Sequence, residues 1–320
     1  MKNNSEIKLS TSDKYYLAVN KFIKSENNYF NEIKYHKIQS SSDNDLYFQL
    51  VRKSDNKAVG TFSFIYEENS FFSPLRGTFG GPYISKENLN FDILEEFIFK
   101  IIEILFENEP NSIHIKLSAM SNNMNINSIC TNLLLRKGFE IKNHEINYNI
   151  KINQTDFIDR INYAEKKRLK KCIKSNYTFK NLELNNIEEV YKIIKDNRDS
   201  KKYKLSMSLS ELKNVISIFP NKFKIFGVYD SNNLIASSVC IEVEKSILYV
   251  FYWADNINYS STSPITFLAS GLYNYCQENN YRILDIGTAT IDSEPNYGLI
   301  SFKRNLGFKE SIKLTLSLEK

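Results

Sequence analysis

The sequence predicts an α/β (α+β) protein of two tandem lobes, each a mixed and mostly antiparallel sheet flanked by helices. Three observations lead there. The 320 residues are too many for one small domain and fit about two. Apolar residues reach 42% and aromatics 13%, which supplies two packed cores and excludes a disordered, collagen-like or disulfide-stapled chain. The order of patterned segments in the first half also returns in the second, the mark of a duplicated unit.

The repeat is visible at three places. Cys130 to Glu140 contains Gly138-Phe139 and precedes the strand-like run His144 to Ile152; Leu299 to Lys309 contains Gly307-Phe308 and precedes Ile312 to Leu318, with the two glycines 169 residues apart. Upstream, Ile113 to Leu117 matches Leu284 to Thr288 at an offset of 171, and Ala58 to Phe64 matches Leu234 to Cys240 at 176. Offsets that drift slightly while order is kept are what loop-length changes between two copies produce.

The elements follow in order. Phe91 to Phe106 is apolar at helical spacing but broken by Asp92, Glu95, Glu96, Lys100 and Glu103, so it is an amphipathic helix and no membrane span. In the second copy, Ile187 to Asp196 and Leu209 to Phe219 recur at three- and four-residue steps as helices. Phe223 to Tyr229, Leu234 to Val243 and Ile247 to Ala254 are strands, the first two joined by a turn after Asp230. Pro264 opens a helix to about Glu278, Arg282 to Gly287 is a buried strand, Tyr297 to Asn305 a short helix stopped by Gly307, and Ile312 to Leu318 the closing strand. These place lobes at residues 1–153 and 182–320, with a basic linker helix and connecting strand over 154–181.

This order resembles the GNAT acyltransferase fold, and its duplication resembles the Fem-type transferases that add amino acids to peptidoglycan precursors. Three stretches carry the likeness: Phe72 to Pro82 in the first copy, Arg168 to Tyr177 between the copies, and Asp285 to Thr288 with Phe302 to Phe308 in the second. The chain has no long inserted helical arm of the kind that family uses to contact transfer RNA. The resemblance implies an N-acyltransferase acting on a cell-envelope precursor or sugar nucleotide.

Charge is concentrated. The net charge is +5, but Arg160 to Lys180 alone holds eight basic residues against Glu165, a local +7, so the other 299 residues sum to −2. As a helix this segment has Leu169, Cys172 and Ile173 on one side and lysines elsewhere. Three roles fit it: a solvated rim, a salt-sensitive seat for RNA phosphates, or contact with an anionic membrane surface. The four cysteines are scattered with no Cys-x-x-Cys pair, which points to a reduced cytoplasmic setting and to no metal; Met1 to Val19 lacks the apolar core of a signal peptide.

Acyl transfer to an amine asks for positioning, removal of the amine's proton and stabilisation of an oxyanion, and requires no nucleophilic Cys or Ser. His36, in a polar stretch, and His144, opening a strand, are expected at the surface; His114 alternates with Ile113 and Ile115 in a sheet. Asp285 stands inside an apolar strand, where a charge must be paired or protonated, as a structural carboxylate or as a cleft residue. Gly287 lets a ligand approach the backbone closely. Trp253 alternates with Tyr252 and Ala254 along a strand, one of whose faces covers the cleft.

The resemblance adds roles. It places Phe302 and Lys303 at the transfer site, with Lys303 and Asp285 as the catalytic pair, Lys303 neutralising developing negative charge or a donor phosphate. Arg198 falls near the acceptor's diphosphate, with Tyr203 beside it, and Arg168 and Tyr297 complete the expected substrate contacts. Acetyl-CoA enzymes of the GNAT type carry a glycine-rich loop where this chain has Asn256 to Pro264 without glycine. Ser261, Thr262 and Ser263 are left there to touch a phosphate or to cap the helix. The expectation is no tightly bound cofactor, an acyl donor that is either aminoacyl-tRNA or acyl-CoA, and a small-molecule or lipid-linked acceptor bearing phosphate. The runner-up readings are CoA-dependent N-acetylation of a small amine or sugar, and a non-catalytic tandem module that binds RNA or an anionic surface.

Overall fold

The computed structural model describes residues 5–25, 29–40, 42–85 and 89–320. The chain divides into two compact units, Met1–Glu145 with Ser311–Lys320, and Ile146–Glu310. The segment 154–181, expected as a linker, lies inside the second unit. No helix among the described residues is long and apolar enough to cross a membrane.

In the first unit an antiparallel run of Ser5–Lys8, Tyr15–Val19, Leu46–Arg52 and Lys57–Glu67 continues into Ser70–Ser73. That short strand pairs in parallel with Ser112–Lys116, from Ser70↔Ser112 to Ser73↔Ile115. The sheet then takes a strand from the far end of the chain: within Lys309–Glu319, Thr315 to Glu319 lie antiparallel to Lys116 to Ser112. Helix Phe91–Phe106 turns Leu94, Phe97, Ile98, Ile101 and Leu105 inward at the spacing that marks an apolar stripe. They pack with Phe62, Phe64, Ile113, Ile115, Leu133, Leu314 and Leu316 in one core. Each such side chain contributes about 1.5–3 kcal/mol by leaving water.

His36, expected at the surface, is instead buried, because helix Ile33–Gln39 places it on the inward face with Tyr35 while Lys34 and Lys37 point out. Its ring lies 5.4 Å from that of Tyr47. Burial lowers its pKa to about 4, against the opposing field of Asp45 and with a smaller push from Lys37 in the same direction as burial. Between pH 4 and 6.5 the unfolded chain therefore binds a proton that the folded chain refuses. Stability should fall by up to about 1.4 kcal/mol per pH unit as the pH drops through that window. Denaturant midpoints measured across this range for wild type and for His36→Gln should converge as the pH falls; parallel pH profiles would contradict the assignment.

In the second unit Thr178–Leu182, Phe223–Asp230, Asn233–Glu244 and Ile247–Asp255 form an antiparallel meander, the middle pair joined by a two-residue turn with Ser231 at φ +55°. Ile247–Asp255 then pairs in parallel with Ile283–Thr288, but only from Ile247↔Ile283 to Tyr249↔Asp285. On its other side Ile283–Thr288 runs antiparallel to residues 147–151 of strand Glu140–Lys151. Leu268, Leu272, Tyr273 and Cys276 of helix Pro264–Glu278 fill the core with Leu248, Val250, Leu284 and Phe308. Asparagine side chains start two helices here: Asn162 accepts from the Glu165 N–H ahead of Tyr163–Lys174, and Asn296 from the Leu299 N–H ahead of Tyr297–Asn305.

Candidate active site

The parallel pair parts after Tyr249 and Asp285, and the cleft residues gather at that parting. Between Asp285↔Asn149 and Thr288↔Asn147, strand Ile283–Thr288 fits two residues, Ile286 and Gly287, against Tyr148 alone, which is a bulge. Gly287 has φ +71°, and a Cβ on it would stand 3.3 Å from the Tyr249 hydroxyl, so both conformation and space call for glycine. Successive carbonyls of a regular strand point to opposite sides. The bulge breaks that alternation, and the carbonyl oxygens of Ile286, Gly287 and Thr288 each accept from Lys303 Nζ at 2.8 Å. Three acceptors match the three N–H groups of an ammonium.

Asp285 anchors the other side of the bulge. Its Oδ1 accepts from the Gly287 N–H at 2.8 Å and from Asn147 Nδ2 at 2.9 Å. Asn147 is a site residue that the sequence reading passed over; the signal for it is the alternation of Asn147 and Asn149 with Ile146, Tyr148 and Ile150.

Lys303 is only 2% exposed, although it lies on a short helix between Phe302 and Arg304. Burial lowers its pKa to about 7; the field of Asp285 opposes that shift and the positive charge of Arg198 adds to it. Arg198 thus acts on the same site from helix Ile187–Ser200. Its own guanidinium makes no hydrogen bond or ion pair among the described residues. The neighbouring Asn197 ties that helix end to the parting strand, donating to the Asp255 carbonyl at 2.9 Å and to Asp255 Oδ1 at 3.0 Å. Burial raises the Asp255 pKa. Trp253 and Phe302 meet edge to face with ring centroids 6.1 Å apart, and Lys303 Nζ stands 5.5 Å from the centre of the Tyr148 ring. The arrangement offers one unpaired guanidinium backed by a fixed buried cation, which suits an anion or a developing oxyanion.

No family model and no curated protein sequence matches the chain. Among solved structures, FemX aligns with TM-score 0.66 at 12% identity, over 86% of this chain and 88% of that one. L-PGS from Bacillus licheniformis aligns with TM-score 0.55 at 10% identity, over 87% and 85% of the two chains. The C-terminal DUF2156 domain assigned to lysylphosphatidylglycerol synthetase from Agrobacterium fabrum gives the same TM-score and identity, over 86% and 84%. The chain has the fold of FemX.

Not every residue nominated for this Fem-like fold reaches the parting strands. Asp285, Gly287, Phe302, Lys303, Trp253 and Arg198 come together as described. Tyr297 opens the helix that carries Lys303 but is 76% exposed, and Tyr203 is an exposed side chain whose backbone N–H donates to the Arg198 carbonyl at 2.9 Å. Arg168 binds the carboxylate of Glu165 on its own helix.

The start of helix Pro264–Glu278 is already engaged by the chain itself. Ser263 sits at φ +57° without a side-chain cap, and Pro264 supplies no N–H. The Thr262 hydroxyl accepts from the Tyr177 hydroxyl at 3.0 Å and donates to the Tyr259 carbonyl at 2.8 Å, while Cys172 Sγ lies 3.2 Å from the Thr262 carbonyl. Glu165, only 1% exposed, accepts from the Thr266 hydroxyl at 2.7 Å. Ser261 is exposed. Among the described residues no group of three or more His, Cys, Asp or Glu is placed to hold a metal ion.

Proposed function

We propose that this chain is an N-acyltransferase that forms an amide on an amine of a phosphate-bearing acceptor, a cell-envelope precursor or a sugar nucleotide, with an aminoacyl-tRNA as donor. The observation that supports the reading is the unpaired Arg198 whose positive charge reaches the buried Lys303, which is held at the parting of Ile247–Asp255 from Ile283–Thr288. The amine nitrogen attacks the ester carbonyl, the C–N bond forms, the C–O bond to the ribose breaks, and the departing alkoxide takes up the amine's proton. Negative charge on the carbonyl oxygen develops in the field of Arg198 and of Lys303 in its ammonium form, where preorganised charge lowers the barrier most.

An ester donor is favoured over a thioester of CoA by the glycine-free Asn256–Pro264 segment and by the side chains that occupy the start of the following helix. The test is to incubate the full chain with aminoacyl-tRNA or with acetyl-CoA and phosphate-bearing amines, reading amide products by mass spectrometry. Turnover with the ester donor is expected. Turnover with acetyl-CoA alone would overturn the donor, and no turnover with either would leave a tandem-fold binding module. Arg198→Gln should raise KM for a phosphate-bearing acceptor about 10–100-fold with a smaller change in kcat, as loss of a charge-assisted contact requires. An unchanged KM would remove Arg198 from the acceptor site.

A further inference from the structure

We propose that the outward face of helix Tyr163–Lys174 is a docking face for an anionic phospholipid surface, a property separate from the acyl-transfer reading. At about 100° per residue, Tyr163, Lys167, Lys170 and Lys174 fall within roughly a sixth of the helix circumference, with Lys171 next to them. Glu165, Leu169 and Cys172 are buried on the opposite side. Lysines 167, 170, 171 and 174 are all exposed. Among the described residues none of the four has an ion pair, whereas Lys192, Lys195 and Lys213 on neighbouring helices each have an acidic partner. The two other basic residues of the helix are taken, Arg168 by Glu165 and Lys166 by Asp159. The densest positive charge of the chain is therefore left without an acidic partner on one ridge, exposed to any anionic surface that approaches.

The chemistry of the ridge selects a bilayer over a nucleic acid. A lysine ammonium is a hydrated point charge that demands no geometry of its partner, while bidentate phosphate recognition uses arginine. The one arginine of the helix, Arg168, is half-exposed and gives Nη1 to the buried Glu165, while the cations of the ridge itself are all lysines. Lys167 Nζ stands 4.5 Å from the centre of the Tyr163 ring and so covers one of the two faces on which a base could stack. Tyr163 is nonetheless 73% exposed and Ile173 54% exposed. A tyrosine and an isoleucine flanking a row of lysines match the headgroup boundary, where lysines reach phosphate and the apolar parts rest against the acyl region.

The experiment is sedimentation of the full chain with vesicles of phosphatidylcholine alone and of phosphatidylcholine with one-third phosphatidylglycerol. Anisotropy of a short labelled single-stranded RNA is measured in parallel. Binding to the anionic vesicles alone is expected, weakening as salt is added. Each lysine near such a surface is worth about fivefold in affinity, so the quadruple variant K167Q/K170Q/K171Q/K174Q should bind at least about a hundredfold more weakly. The double variant I173S/Y163S should keep the salt dependence and lose affinity several-fold. Equal binding to neutral vesicles, undiminished binding by the quadruple variant, or RNA binding tighter than vesicle binding and lost in that variant would each overturn the proposal.

Discussion

Deleting Ser311–Lys320 is expected to unfold the first unit while the second stays native. The deleted residues pair with Ser112–Lys116, place Leu314 and Leu316 in the first unit's core, and accept the N–H groups of Leu117 and Met120 through the carbonyls of Leu314 and Ile312. Truncating one core leucine to alanine already costs about 2–5 kcal/mol. Losing the whole strand, with its ladder bonds, exceeds what a domain stable by about 5–15 kcal/mol withstands. Two probes separate the units. The only tryptophan, Trp253, lies in the second, so its emission should stay native. Amide exchange over Lys57–Glu67 and Ser112–Lys116 should lose its protection, and a peptide of residues 311–320 added in trans should restore part of it by completing the sheet edge. Full protection of Ser112–Lys116 in the truncated chain would refute the division.

Replacing Lys303 by methionine should damage stability and activity together. The substitution leaves the carbonyls of Ile286, Gly287 and Thr288 without their donor, at about 1–3 kcal/mol each, and removes the cation facing Asp285. Relief of the buried ammonium's lost hydration offsets part of this, for a net loss of about 2–4 kcal/mol. If the chain transfers acyl groups as proposed, kcat/KM should drop at least about a hundredfold, the size of losing one preorganised charge at an oxyanion. The pH dependence identifies the cause. With a folded pKa of about 7, below the ordinary 10.5, the unfolded chain holds the extra proton between those values, so stability rises with pH through that window in the wild type. The methionine variant should lack that rise. A variant as stable and as active as wild type, with the same pH profile, would show that the cradle carries no weight.

What could be read from the residues alone was what local pattern encodes. Phe91 to Phe106 carries its period in its own side chains, and Pro264 marks its helix start, so the helices Phe91–Phe106 and Pro264–Glu278 were placed as they stand. Asp285 and Gly287 stood out because a carboxylate and a glycine are out of place in an apolar strand. Membership of the closing strand was not legible: Ile312 to Leu318 reads as a strand, but nothing in its alternation tells which sheet edge nearly two hundred residues away will take it. The burial of Lys303 was equally hidden. Phe302, Lys303 and Arg304 look like an exposed helix end, and the carbonyls that hold the ammonium depend on a bulge set by the pairing partner. Glu165 was masked by the lysines around it, and only the shared helical face of Glu165, Leu169 and Cys172 accounts for its burial.

The strand Lys309–Glu319 also orders events in time. The first unit is begun before the second and completed only after it, because Thr315, the partner of Lys116, follows the whole of Ile146–Glu310 along the chain. At 5–20 residues per second, the wait between Glu145 and Lys320 is roughly ten to thirty-five seconds. The second unit's residues are complete before the first can close. During that interval Ser112–Lys116 is an unpaired sheet edge beside an unfinished core, the segment of the nascent chain that most needs a chaperone's cover.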